Sequence, residues 1–212
     1  MPPTHPPCEV AQRKEVLFLI DGSESISEAN FALIQENINN ITLQLYESQP
    51  ADVSVAFTEY STAVTQVSSS FHPLSSLAAV SSLELVVNSI EQSFGITNTG
   101  DGILAALSFF RNHATAGTAR VLVVVTDGTT SASNRDALAL AAEQLRAADV
   151  TTMAIGIGRG TDIEELKLIS GEVGVTDPER AVTTLDFSGL KEIQAQTVAV
   201  VQGACTQGLL AV

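Results

Sequence analysis

Two stretches decide the fold: Glu15-Val-Leu-Phe-Leu-Ile-Asp21-Gly22-Ser23-Glu24-Ser25 and Arg120-Val-Leu-Val-Val-Val-Thr-Asp127-Gly128. Each is apolar at consecutive positions over the length of a strand. That predicts strands buried on both faces, the condition of a parallel sheet covered by helices on each side. Each ends in aspartate followed by glycine. In open α/β sheets, ligands bind outside the carboxyl ends of the strands, where the winding direction reverses. If the two strands are neighbours at that point, both carboxylates enter one crevice.

The remaining elements alternate around these two. Ser27–Leu45 places Phe31, Ile34, Ile38, Ile41 and Leu45 at spacings of three and four behind a Ser27 cap, which predicts a helix. Val53–Tyr60 alternates as a strand, and Ala63–Ser68 follows after Ser61-Thr62, which predicts an antiparallel hairpin at a sheet edge. Leu74–Ser93 reads as a helix with Leu77, Val80, Leu83 or Leu85, and Val87 facing inward. Asp101–Asn112 is another, with Ile103, Leu107 and Phe110 on one stripe. A helix over Asn134–Ala148, a strand over Thr151–Gly156, a helix over Thr161–Ser170, a strand over Ala181–Leu185 and a helix over Ser188–Gly203 complete the chain. The expected fold is a doubly wound α/β open sheet, mostly parallel with one antiparallel edge strand, with helices on both faces.

The chain has 212 residues, enough for one well-buried core. We divide it into a Pro-rich N-terminal linker over 1–14, a single domain over 15–203 and a tail over 204–212. Four of the seven prolines fall in Met1–Pro7, which marks that segment as a linker rather than a signal sequence with an apolar centre. Twenty-four acids against ten bases give a net charge of −14, and no Lys/Arg cluster relieves it. That argues against nucleic acid or an anionic membrane as partner. The longest purely apolar runs, Val16–Ile20 and Val121–Val125, are far short of the roughly 20 residues that span a bilayer. The two cysteines, Cys8 and Cys205, lie one near each end. Either they are unrelated thiols, or the ends of the sheet meet and a bridge closes a loop worth roughly 5 kcal/mol in the chain-entropy model. A bridge would imply an oxidising compartment.

The chemistry concentrates in three loops. Asp21, Ser23 and Ser25 present oxygens at alternate positions after the first strand. Gly95-Ile-Thr97-Asn-Thr99-Gly-Asp101 adds hydroxyls just before a helix, and Asp127 ends the second strand. Carboxylates and hydroxyls with no thiolate or imidazole suit a hard cation such as Mg²⁺ or Mn²⁺, with Ca²⁺ in the same class.

This set of motifs resembles the metal-ion-dependent adhesion site of von Willebrand factor type A (integrin I-like) domains: Asp21-x-Ser23-x-Ser25, then Gly-x-Thr97-x-Thr99-Gly, then Val-Val-Val-Thr-Asp127-Gly. Ala154-Ile-Gly-Ile-Gly158 and Glu165-Leu166 are similar to that family's following strand and helix, so the resemblance covers about Glu15 to Gly203. It implies that Ser23, Ser25 and Thr97 offer hydroxyls to the ion, with Asp21 and Asp127 acting directly or through water. Thr99 and Asp101 would orient the Thr97 loop from behind, and Glu24, Ile26, Thr129 and Thr130 would form the rim. The implied function is that of a secreted adhesion module. It would bind an acidic residue of an extracellular partner (a matrix protein, collagen or a receptor), as one monomeric domain of a larger protein. The rival is a matrix-assembly module whose contacts need no metal. The resemblance also brings in sliding of the last helix coupled to the metal; a Cys8–Cys205 bridge beside that helix would restrain it, so a rigid binder is expected.

Enzyme readings fit poorly. A Ser23 nucleophile in a Gly-x-Ser-x-Gly elbow would need glycines at 21 and 25, where Asp21 and Ser25 stand, and His5, His72 and His113 all precede Asp127, whereas the order Ser…Asp…His needs a late histidine. Gly156-Ile-Gly158-Arg-Gly160-Thr161 has threonine where a dinucleotide fingerprint needs its third glycine, and no phosphate-binding Gly-x-x-x-x-Gly-Lys loop is present. A Mg²⁺-dependent phosphotransferase would need Lys or Arg beside the two aspartates, and there is none. Asn40-Ile41-Thr42 forms a candidate N-glycosylation sequon on the first helix.

Overall fold

The computed structural model describes residues 9–10, 13–48, 52–176 and 178–206, by their backbone alone at 9, 10, 205 and 206. In chain order the elements are β1 (Glu9–Val10), β2 (Lys14–Asp21), α1 (Glu28–Ser48), β3 (Val53–Tyr60), β4 (Val64–Gln66), β5 (His72–Pro73), α2 (Leu77–Asn88), α3 (Thr99–His113), β6 (Ala119–Thr126), α4 (Arg135–Ala147), β7 (Val150–Ile157), α5 (Ile163–Ser170), β8 (Ala181–Thr184), α6 (Leu190–Gly203) and β9 (Cys205–Thr206).

The main sheet runs β4-β3-β2-β6-β7-β8, with β5 also on the β3 edge. Strands β3, β2, β6, β7 and β8 are parallel, and β4 and β5 pair antiparallel to β3. The chain winds from β2 to β3 and then returns to the far side of β2 with β6. The reversal point therefore lies between β2 and β6, where both aspartates were expected to meet. The β3 edge carries two short antiparallel segments where a single hairpin strand was anticipated. Pairing Thr58–Tyr60 with β4 and Ser54–Val55 with β5 blunts that edge in pieces.

Alternation divides the core in two. Val16, Phe18 and Ile20 of β2 and Val121, Val123 and Val125 of β6 pack toward α1, α2 and α6. Leu17, Leu19, Leu122 and Val124 pack on the other face toward α3, α4 and α5. All of these strand residues are buried to within about one percent, as a two-sided parallel sheet demands. On α1 the stripe Phe31, Ile34, Ile38, Ile41 and Leu45 is buried as its spacing predicts, and the Ser27 hydroxyl accepts the Asn30 N–H at 3.3 Å.

Helix α2 is shorter than its apolar pattern suggests. Val80, Leu83 and Val87 are buried, but Leu77 is 58% exposed and Leu85 71%. Ser76 caps the helix by accepting the Ala79 N–H, so Leu77 occupies the first turn and points outward; its inward placement is corrected. Among the described residues, no helix is long and apolar enough to cross a membrane.

A two-stranded antiparallel ribbon, β1 with β9, pairs Glu9 with Thr206 and Val10 with Cys205. It brings the backbone at the two ends of the domain together, and nothing in the local sequence announced it. Cys8 lies outside the described residues, so its pairing with Cys205 is not visible.

Candidate metal and ligand site

Strands β2, β3 and β6 run level, with Ile20 opposite both Glu59 and Val125, so their carboxyl ends form one ledge. Asp21 closes β2 on that ledge and is fully buried. Its Oδ1 accepts the Ser23 N–H at 2.9 Å, and its Oδ2 accepts the Thr126 hydroxyl at 2.6 Å. The Ser23 hydroxyl stands 3.0 Å from that of Ser25, and Ser25 donates to Asp127 Oδ1 at 2.7 Å. Thr97 joins them from the third loop. A methyl group placed on Gly128 would lie 3.7 Å from the Thr97 hydroxyl and 3.8 Å from that of Ser25, so both hydroxyls border one point. The Ser131 N–H donates to the Thr97 carbonyl at 3.2 Å, tying the third loop to the loop after Asp127. The structure thus brings together Asp21, Ser23, Ser25, Thr97 and Asp127.

Burial raises the Asp21 carboxyl to about 6, against the opposing hydrogen bonds from Thr126 and Ser23 and with a further push from the Asp127 charge. Burial also raises Asp127, and the Ser25 hydroxyl partly offsets it. No basic side chain among the described residues pairs with either acid. The crevice therefore holds two like charges and several hydroxyl oxygens but no protein cation. No cluster of three or more His, Cys, Asp or Glu able to hold a metal occurs among the described residues, so hydroxyls must supply much of any coordination.

The supporting residues divide. Asp101 Oδ2 accepts the Asn98 amide at 2.6 Å and so braces the residue after Thr97. Thr99 is fully buried and faces Tyr60 instead, with hydroxyls 3.4 Å apart. Thr99 is therefore tied to the end of β3 rather than to its own loop. Burial, and next the Asp21 charge, push the Tyr60 hydroxyl well above its usual range, so it remains a neutral donor.

Two expected rim residues are corrected. Ile26 is 1% exposed and packs in the core beneath α1 and α2; burying an Ile side chain outweighs presenting it at the rim. Thr130 is also 1% exposed, and Glu165 accepts both its hydroxyl at 2.8 Å and its N–H at 2.9 Å. Glu24 is exposed and Thr129 half-buried, as a rim requires. Asn40 is half-buried on α1, and the hydroxyl of its sequon partner Thr42 is buried with no partner among the described residues.

Four residues escaped the sequence reading. Thr126 clamps Asp21, and its position next to Asp127 could have flagged it. Glu165 holds the Thr130 backbone from α5. Gln92 straps the first loop by donating to the Ser23 carbonyl at 3.0 Å and the Ile26 carbonyl at 2.7 Å. Glu59, fully buried, accepts the Ser93 hydroxyl at 2.6 Å and lies against Gly22. Gln92 and Glu59 act across more than thirty residues, and no local pattern reveals them.

Comparison with known proteins agrees with this architecture. The family profile described as von Willebrand factor type A domain matches residues 15–196. The mouse collagen alpha-6(VI) chain is 28% identical over 208 residues, which is 95% of this chain and 8% of the collagen chain. Chicken matrilin-1 is 29% identical over 182 residues, 84% of this chain and 34% of matrilin-1. This chain therefore spans a small part of such relatives. Among solved structures, proximal thread matrix protein 1 from the mussel byssus, with a zinc-occupied MIDAS motif, superposes with a TM-score of 0.76 at 24% identity, covering 94% of this chain and 49% of that one. With its profile match over most of its length and its level β2–β6 ledge, this chain belongs to the von Willebrand factor type A domain family.

Proposed function

We propose that the domain is an extracellular adhesion module that holds a divalent cation and uses it to bind an acidic residue of a protein partner. Ser23, Ser25 and Thr97 would hold the ion by their hydroxyls, with Asp21 and Asp127 close by or through water. The residues fit a hard cation: every donor is oxygen, and among the described residues no basic side chain pairs with the fully buried Asp21 to neutralise it. The contact between Ser25 and Asp127 carries the reading, because it joins the first and last metal loops across the winding reversal. Neutral hydroxyls leave the cation with charge to spare, and a partner carboxylate can take up that charge. Mg²⁺ is the leading candidate, with Mn²⁺ or Ca²⁺ as alternatives. The zinc in the mussel relative supports metal binding at this place in the fold without selecting the ion.

The collagen and matrilin relatives support a secreted, matrix-associated location and a binding role rather than an enzymatic one. They equally favour a second reading, in which the domain assembles into matrix through surfaces that need no metal. Solid-phase binding to purified matrix proteins, collagen included, in Mg²⁺ or EDTA separates the two. Binding lost in EDTA and in Asp127→Ala supports the cation-centred reading. Binding indifferent to both supports the assembly reading.

A further inference from the structure

Phe94 and Ile96 stand immediately before Thr97 and are 44% and 47% exposed. Of the ten aromatic residues, all among the described ones, Phe94 alone is exposed. The loop that carries them is fixed. The Phe94 N–H donates to the Gly22 carbonyl at 2.9 Å, and the Glu24 N–H donates to the Gly95 carbonyl at 2.9 Å. The Ile96 N–H donates to the Thr62 hydroxyl at 3.0 Å, and Ser93 is held by Glu59. Phe94 has φ +58° and Gly95 φ +91°. A bulky side chain in the left-handed region is uncommon, and it persists only where neighbours dictate the backbone. This backbone is tied to the loop that follows β2, to Glu59 of β3 and to the turn after β3, yet the two side chains it presents are left in solvent beside a candidate metal ligand.

We infer that Phe94 and Ile96 form a preorganised apolar anchor beside the cation, selecting partner segments in which a single acidic residue neighbours an apolar side chain. The inference rests on the cation-centred reading and deepens it. Rigid, exposed aromatic residues concentrate binding energy because little ordering is required when they are covered. Charge narrows the partner further. Glu24, Glu91 and Asp101 are exposed around the same loops. A ligand with several acids would therefore meet repulsion everywhere except at the ion, and one carboxylate with apolar surroundings fits both surfaces.

The test uses two blocked peptides, Gly-Phe-Glu-Gly and Gly-Ser-Glu-Gly, titrated into the domain and followed by NMR with Mg²⁺ and with EDTA. Both should bind only with Mg²⁺, the phenylalanine peptide roughly tenfold more tightly. Phe94→Asn keeps a residue that tolerates positive φ, and Ile96→Gln keeps the length of the side chain. Each should shrink the gap between the peptides, and Mg²⁺ affinity measured in the same variants shows whether the ion site persists. Equal Mg²⁺-dependent affinities on the wild type would overturn the anchor and leave the cation-centred reading standing. A gap that survives both variants would do the same. Absence of any Mg²⁺-dependent binding would overturn both.

Discussion

The Ser25 hydroxyl donates to Asp127 Oδ1 at 2.7 Å although 102 positions separate the two residues. The sheet makes this contact: β2 and β6 are parallel neighbours in level register, so the residues just past their ends share one crevice. The acids and hydroxyls gathered there lead to distinct expectations.

The protonation of Asp21 should set the pH dependence of the cation-free domain. Its carboxyl is raised from 3.8 to about 6 in the folded state, chiefly by burial. The folded protein thus holds a proton that the unfolded chain releases between those values. Stability from this group is complete below about pH 4 and lost as pH rises through about 6. At neutral pH the ionised, buried acid costs about 3 kcal/mol. Thermal melts in EDTA should show Asp21→Asn losing less stability than wild type between pH 4 and 7. Parallel curves would contradict the assignment. A cation needs the ionised form, so Mg²⁺ affinity should fall as pH drops through about 6.

Gly22 and Glu59 should be energetically coupled. A Cβ at Gly22 would run into the Glu59 carboxylate, which is buried and holds Ser93. Gly22→Ala should cost about 1–3 kcal/mol through overpacking. In a Glu59→Ala background the added cost should shrink by about 0.5–3 kcal/mol. Additive losses in a denaturation double-mutant cycle would refute the close approach.

How the sequence reached the site, and where it stopped, follows from range. Asp21, Ser23, Ser25, Thr97 and Asp127 were legible because each sits at a strand end or a helix start with a short motif around it. The fold was legible because a two-sided sheet leaves apolar runs that cannot be placed elsewhere. Gln92 and Glu59 were not, since each acts on a loop distant in sequence through hydrogen bonds or contacts that leave no local pattern. Ile26 and Thr130 were misplaced for the opposite reason: they neighbour true site residues, but burial in the core and the Glu165 carboxylate claim them. The β1–β9 ribbon, of two residues in each strand, is too short to leave a pattern.

The last helix should be held in register by buried amides. Gln194 of α6 donates to Asn37 Oδ1 at 2.8 Å and accepts from Gln44 at 3.1 Å, both on α1. Gln194→Ala strands two amides and should cost about 1–3 kcal/mol. Urea unfolding would measure it, and a change within error would show that the network does not fix the helix.

We propose that Cys8 and Cys205 are disulfide-bonded. Pairing of Val10 with Cys205 and Glu9 with Thr206 brings the backbone of residues 9–10 and 205–206 together and supports it. Peptide mapping of protein made in an oxidising compartment should recover one linked peptide pair under non-reducing conditions. Recovery of two free thiols would exclude the bridge.

The central claim is that the oxygens around Ser25 and Asp127 hold a divalent cation. Isothermal titration of Mg²⁺ into the wild type and Asp127→Ala, each with its far-ultraviolet circular dichroism recorded, tests it most directly. The account predicts saturable binding at one site in the wild type and none in a variant whose spectrum is unchanged. Indistinguishable heats from the two folded proteins would contradict it.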